Sequence, residues 1–211
     1  MYYKSLQRII RIPPRRFGII NSHSFASVPP FGDSPDSRFP AQPVPPTSVG
    51  AADIDWSKLF FEHVPTYGHL RATYKNGNWS PISFHKDPFI PTHVLANVFH
   101  YGQAAFEGMK AFHCKDGKVK LFSDRLNWER LTYSCSRLRM PPVPWDLWKD
   151  AIDELIRQNV SYIPPYGTDG ALYVRPFIVG TGPQLGVAPS SEYTFVAVCS
   201  PVGSYYRTKK Y

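Results

Sequence analysis

The first 32 residues of this 211-residue chain contain no aspartate or glutamate, and the whole chain contains only three cysteines. The missing acids leave Lys4, Arg8, Arg11, Arg15 and Arg16 unopposed. Taking these five from the formal net charge of +8 leaves +3 for residues 33–211, an ordinary globular balance. No dense Lys/Arg stripe follows residue 32, so the chain lacks the basic footprint of a nucleic-acid binder and nucleic acid is not expected as a partner. Cys114, Cys135 and Cys199 are odd in number, far apart and without a Cys-x-x-Cys spacing. That argues against a disulfide framework and against a zinc site, and leaves packed, reduced thiols. No apolar run approaches the ~20 residues of a membrane span, so no membrane partner is expected. Gly-rich phosphate loops, His-Glu-x-x-His, Ser/His/Asp sets, paired carboxylates and internal repeats are missing too.

What is present falls into two unlike parts. In residues 2–12, Leu6, Ile9 and Ile10 share one face of a helical period and Lys4, Arg8 and Arg11 share the other, with Pro13-Pro14 as the stop. An Arg-rich, Ser-containing, acid-free amphipathic helix is the pattern of a mitochondrial transit peptide over 1–32. The expected location is therefore the mitochondrial matrix, with the cytoplasm as the alternative. Residues 33–51 read as a Pro-rich linker, since seven prolines fall within 29–46. Folded structure is expected from near Asp53.

The whole chain is 43% hydrophobic and 19% charged, enough to build a core. Asn76-Gly77 predicts a hairpin turn between Thr73-Tyr74 and Trp79, and Asp116-Gly117 a second one between arms 108–114 and 118–122. A helix is predicted from a Ser123 cap to Leu138, with Leu131, Cys135 and Leu138 inward. A second covers Trp145 to Asn159, with Trp148, Ile152, Leu155 and Ile156 inward. Strands 171–178 and 193–200 follow. Strands with two covering helices give an α/β (α+β) domain.

Few residues suggest chemistry. Alternation along 171–178 puts Tyr173 and Arg175 on one face of a strand. An arginine there is costly unless it meets an anion or a wet cleft. The competing reading is an edge strand with its polar face in water, which Pro176 favours. Arg130 lies off the core face of its helix. It suits a phosphate, or else a surface ion pair with Glu129 or Asp124. The stretch from His100 to Phe112 is dense in polar and aromatic residues. Its Lys110 is either a reactive amine or a solvated strand lysine.

Several motifs occur together in order: Ala52-Asp-Ile-Asp-Trp-Ser-Lys58, His100-Tyr-Gly-Gln-x-x-Phe-Glu-Gly-Met-Lys-Ala-Phe112, Leu121-Phe122, Asn127-x-x-Arg130, Arg137-Leu138, Met140-Pro141, Leu172-Tyr-Val-Arg-Pro-Phe177, Gly180-Thr181, Leu185-Gly-Val187 and Ser200-Pro-Val-Gly-Ser-Tyr-Tyr206. Across roughly residues 52–206 this resembles the branched-chain aminotransferases, fold-type IV pyridoxal phosphate enzymes. The resemblance implies the small N-terminal domain of that architecture over 52–203. Its cofactor would be pyridoxal 5'-phosphate, its substrates amino acids and 2-oxo acids, and its assembly a homodimer. It also implies roles. Arg130 would hold the cofactor phosphate. Phe106, Tyr173 and Tyr205 would wall the substrate pocket, and Arg175 would lie near the substrate carboxylate. Tyr101 and Val187 would reach into the partner's site.

In the family the Schiff-base lysine lies downstream of Ser-Pro-Val-Gly, whereas this sequence runs to Lys209-Lys210-Tyr211. The expectation is therefore a chain whose residues 204–211 begin an interdomain linker and whose second domain is missing. Its catalytic residues would then number none. Two fates fit that expectation: a branched-chain aminotransferase by family that is inactive in this form, or a non-catalytic fragment or pseudoenzyme that associates with a full-length subunit.

Overall fold

A computed structural model describes residues 7–10 and 48–204. Its strands are β1 (Gln7–Ile10), β2 (His69–Lys75), β3 (Asn78–Trp79), β4 (Ser83–His85), β5 (Ala104–Phe106), β6 (Met109–His113), β7 (Val119–Phe122), β8 (Ala171–Gly180) and β9 (Tyr193–Val202). Its helices are α1 (Asn97–Tyr101), α2 (Asp124–Arg137) and α3 (Trp145–Gln158). Among the described residues the strands form one sheet in the order β1-β7-β6-β8-β9-β2-β3, with β4 on β2 and β5 on β8. The named pairings are all antiparallel, so the α/β domain is an α+β one.

Both hairpins form where the turn residues place them. Asn76 and Gly77 hold φ of 53° and 82°, and Gly117 holds 72°. The long strands alternate. Along β8, Leu172, Val174, Pro176 and Ile178 are buried while Tyr173, Arg175, Phe177 and Val179 are half-buried. The buried set joins Leu70, Ala72, Phe195 and Ala197 against Leu131 and Cys135 of α2 and Trp148, Ile152, Leu155 and Ile156 of α3. Trp148 stacks on Phe195 with ring centroids 6.1 Å apart. The two helices thus cover one sheet face and leave the Tyr173–Arg175 face uncovered by them. Among the described residues, no helix is long and apolar enough to cross a membrane.

Several expectations change. Residues 7–10 are a strand on the β7 edge, not part of a helix. Ile9 and Ile10 are β-branched, and an open strand edge offers them a ladder that an isolated helix would not. Folded structure also starts before Asp53: Val49 packs on the core and the Ala52 amide donates to the Ser161 carbonyl at 3.1 Å. Ser123 precedes α2 as expected, but with φ 57° and without a side-chain cap. Leu138 is 41% exposed, and Met140 takes its place in the core.

The largest change concerns β8. It is central, between β9 on one side and β5 and β6 on the other, rather than an edge. Pro176 survives there because its missing N–H faces the break where β5 hands over to β6. Its carbonyl, on the same side, accepts from the Glu107 amide at 2.9 Å. Polar side chains on a central strand need partners, and Tyr173 and Arg175 have them.

Candidate functional site

Three consecutive residues at the β5–β6 break, Phe106, Glu107 and Gly108, each meet one of the residues singled out in sequence. The Phe106 ring lies under the Arg175 guanidinium, 4.6 Å from its centroid. Arg175 also donates from Nη2 to the Tyr173 hydroxyl at 2.8 Å and from Nε at 3.2 Å. Gly108 sits against Tyr173 so closely that a Cβ there would overlap the phenol hydroxyl. Phe61 packs edge-on against the Tyr173 ring, with centroids 5.0 Å apart.

Glu107 serves Arg130. It is 7% exposed and accepts from Arg130 Nε at 3.0 Å and from Nη2. Nη2 also donates to the Asn127 side chain at 2.9 Å. The carboxylate raises the Arg130 pKa further and fixes the plane of the fork. The side chain of Arg130 is 67% exposed, so its outward donors face solvent. Neither partner read from sequence is used: Glu129 pairs with Arg125 at 3.2 Å, and Asp124 pairs with Arg8 at 2.6 Å.

Lys110 stands directly opposite Tyr173 in the β6–β8 ladder, hence on the same sheet face as Tyr173 and Arg175. It is half-buried, not a fully solvated strand lysine. One cation on the tyrosine hydroxyl and a second on the same sheet face, with Phe106 and Phe61 alongside, form a surface suited to a carboxylate joined to an apolar body.

Tyr101 and Val187 lie apart from this cluster. The Tyr101 hydroxyl donates to the Leu185 carbonyl, and Leu185 and Val187 are 76% and 87% exposed. Gln103 ties that loop down, accepting from the Ser190 amide at 3.0 Å and donating to the Leu138 carbonyl at 2.8 Å. Tyr205 lies outside the described residues. An open concavity bounded by residues 112–115 and 165–170 contains none of these groups. No cluster of three metal-capable side chains occurs among the described residues. Glu107, Gly108 and Phe61 were not singled out in sequence. The available signal was a Glu-Gly pair interrupting a strand pattern, which marks a break where backbones approach closely.

The site thus joins a cationic fork on a helix, oriented by a buried acid, to an aromatic–cation face on an antiparallel sheet. No protein-family model matches the chain. Curated relatives do. The branched-chain-amino-acid aminotransferase of Helicobacter pylori is 42% identical over 155 residues, 74% of this chain and 46% of that protein. That of Haemophilus influenzae is 38% identical over 155 residues, 74% of this chain and 45% of its own length. Among solved structures, the T.th. branched-chain amino acid aminotransferase with pyridoxamine 5'-phosphate shares 26% identity at a TM-score of 0.50, over 66% of this chain and 42% of that one. The fold is thus that of an aminotransferase domain of fold type IV. The matched segment, about three quarters of the chain, is homologous to branched-chain-amino-acid aminotransferases. The chain spans about half the length of the curated relatives it matches.

Proposed function

We propose that residues 48–204 form the small domain of a pyridoxal phosphate-dependent aminotransferase that exchanges an amino group between leucine, isoleucine or valine and 2-oxoglutarate. The observation that carries the reading is the Phe106-Glu107-Gly108 segment, which ties Arg130, Arg175 and Tyr173 into one unit. The cofactor, when bound, supplies the carbonyl that accepts and returns the amino group. Arg130 suits its phosphate, because the fork is exposed, planar and already oriented by Glu107. Arg175 and Lys110 suit a substrate carboxylate, and Phe106 and Tyr173 an aliphatic side chain. Tyr205 would join that wall. The exposed Tyr101–Val187 loop would close the site of a second subunit in a homodimer.

The test is a chimera in which residues 48–204 replace the matched segment of the Helicobacter pylori relative. Leucine-dependent formation of glutamate from 2-oxoglutarate is expected, with loss on Arg175→Ala. A folded chimera that binds the cofactor but turns over no branched-chain substrate would count against the assignment.

A further inference from the structure

A second site lies at the β1 edge of the sheet. Asp124, at the start of α2, and Asp153, within α3, are 4% and 9% exposed at their side chains. Two of their four carboxylate oxygens are served locally. Trp148 Nε1 donates to Asp124 Oδ1 at 2.7 Å, and Lys149 Nζ to Asp153 Oδ2 at 3.0 Å. The other two, Asp124 Oδ2 and Asp153 Oδ1, point to a common spot. Arg8 fills it, with Nε 2.6 Å from Asp124 Oδ2 and Nη1 on Asp153 Oδ1. Buried carboxylates left short of donors are costly. A planar fork bridging both satisfies them together, as a single lysine charge would not.

The backbone around Arg8 is bound as well. Gln7 to Ile10 pair antiparallel with Phe122 to Val119, converting β7 from a sheet edge into an interior strand. A four-residue edge strand gains little net free energy from its ladder against the entropy of ordering it. The arginine therefore decides whether the strand stays.

We propose that the β7 edge and the Asp124/Asp153 pair are a strand-acceptor site for an extended, arginine-bearing segment, and that residues 7–10 of this chain are its occupant. The N-terminal segment is then a structural element of the domain. Any process that draws it away exposes a guanidinium-sized acidic hole beside a bare strand edge, open to another basic segment. This inference stands independently of the proposed transamination.

Hydrogen exchange at Val119–Phe122 in the full chain tests it. Arg8→Glu is expected to speed exchange at least tenfold for the β7 amides that face β1, while those facing β6 keep their protection. A peptide of residues 1–14 added in excess restores protection, and the same peptide carrying Arg8→Glu does not. Wild-type exchange in Arg8→Glu, or equal rescue by the two peptides, overturns the proposal. Should Arg8→Glu fold poorly, Arg8→Gln is read by the same two criteria.

Discussion

Arg130 Nε lies 3.0 Å from Glu107 Oε1, so an exposed cation on α2 is held by a buried acid from the β5–β6 break. The pair shows how a helix-surface arginine is held in one plane. Arg130→Ala leaves Glu107 without its fork. Because the carboxylate left behind is buried, the stability cost exceeds that of an exposed ion pair and is about 1–3 kcal/mol, read as a drop in Tm. Cofactor binding is expected to weaken as well, by about 10- to 100-fold in Kd for a lost charged hydrogen-bond donor. Glu107→Gln should weaken the same Kd by less, because the donors remain but lose their fixed plane. Thermal melts on the 211-residue chain and cofactor titrations on the chimera separate the two effects.

Gly108 exists to make room for Tyr173. In Gly108→Ala the new methyl displaces the phenol from Arg175. The expected result in the chimera is a raised KM for leucine with little change in Tm. In a Tyr173→Phe background, which has no hydroxyl to displace, the same substitution should cost clearly less, a coupling read by a double-mutant cycle. Additive effects would show that Gly108 acts elsewhere.

His69 gives the domain an acid-sensitive point. It is 6% exposed, and burial, followed by the neighbouring Arg71 and His85 charges, lowers its pKa from 6.5 to about 4. Arg71 Nε donates to its Nε2 at 2.6 Å, which suits a neutral ring. The unfolded chain takes up the proton near pH 6.5 and the folded one only near 4. Stability is therefore full above pH 6.5 and falls as pH drops toward 4. Allowing for hydration around His85 and Arg71, the loss by pH 5 is about 1 kcal/mol, or about 2–4 °C in Tm. His69→Gln should flatten the profile across this window.

The exposed apolar groups predict self-association. Phe106 is 63% exposed, and Leu185 and Val187 more so. Surfaces of this kind seek cover when contiguous. Leu185→Ser with Val187→Ser should shift sedimentation of the 211-residue chain toward monomer without lowering Tm. An unchanged profile would place the association elsewhere.

Much of this was legible in the sequence because local rules carried it. Asn76-Gly77 and Asp116-Gly117 impose their turns, and the spacing of Trp148, Ile152, Leu155 and Ile156 imposes one inward face on α3. Period-two alternation put Tyr173 and Arg175 together, and they are bonded. What escaped was non-local. Arg130 meets Glu107, 23 residues away, rather than Glu129 beside it. Pro176 looked like an edge residue until the β5–β6 break appeared across from it. Residues 7–10 have a helical period, yet a strand edge and two distant carboxylates made them a strand. Arg130, Phe106 and Arg175 were picked out individually, but the segment joining them needed the sheet register.

The most direct test of the central claim is turnover by the chimera carrying residues 48–204. Leucine-dependent glutamate formation from 2-oxoglutarate should approach that of the parent relative, fall by about 10- to 100-fold in kcat/KM with Arg175→Ala as a charged contact is lost, and leave the Tm within a few degrees. A folded, cofactor-binding chimera that is inert toward leucine, isoleucine and valine, or one indifferent to Arg175→Ala, would contradict the account.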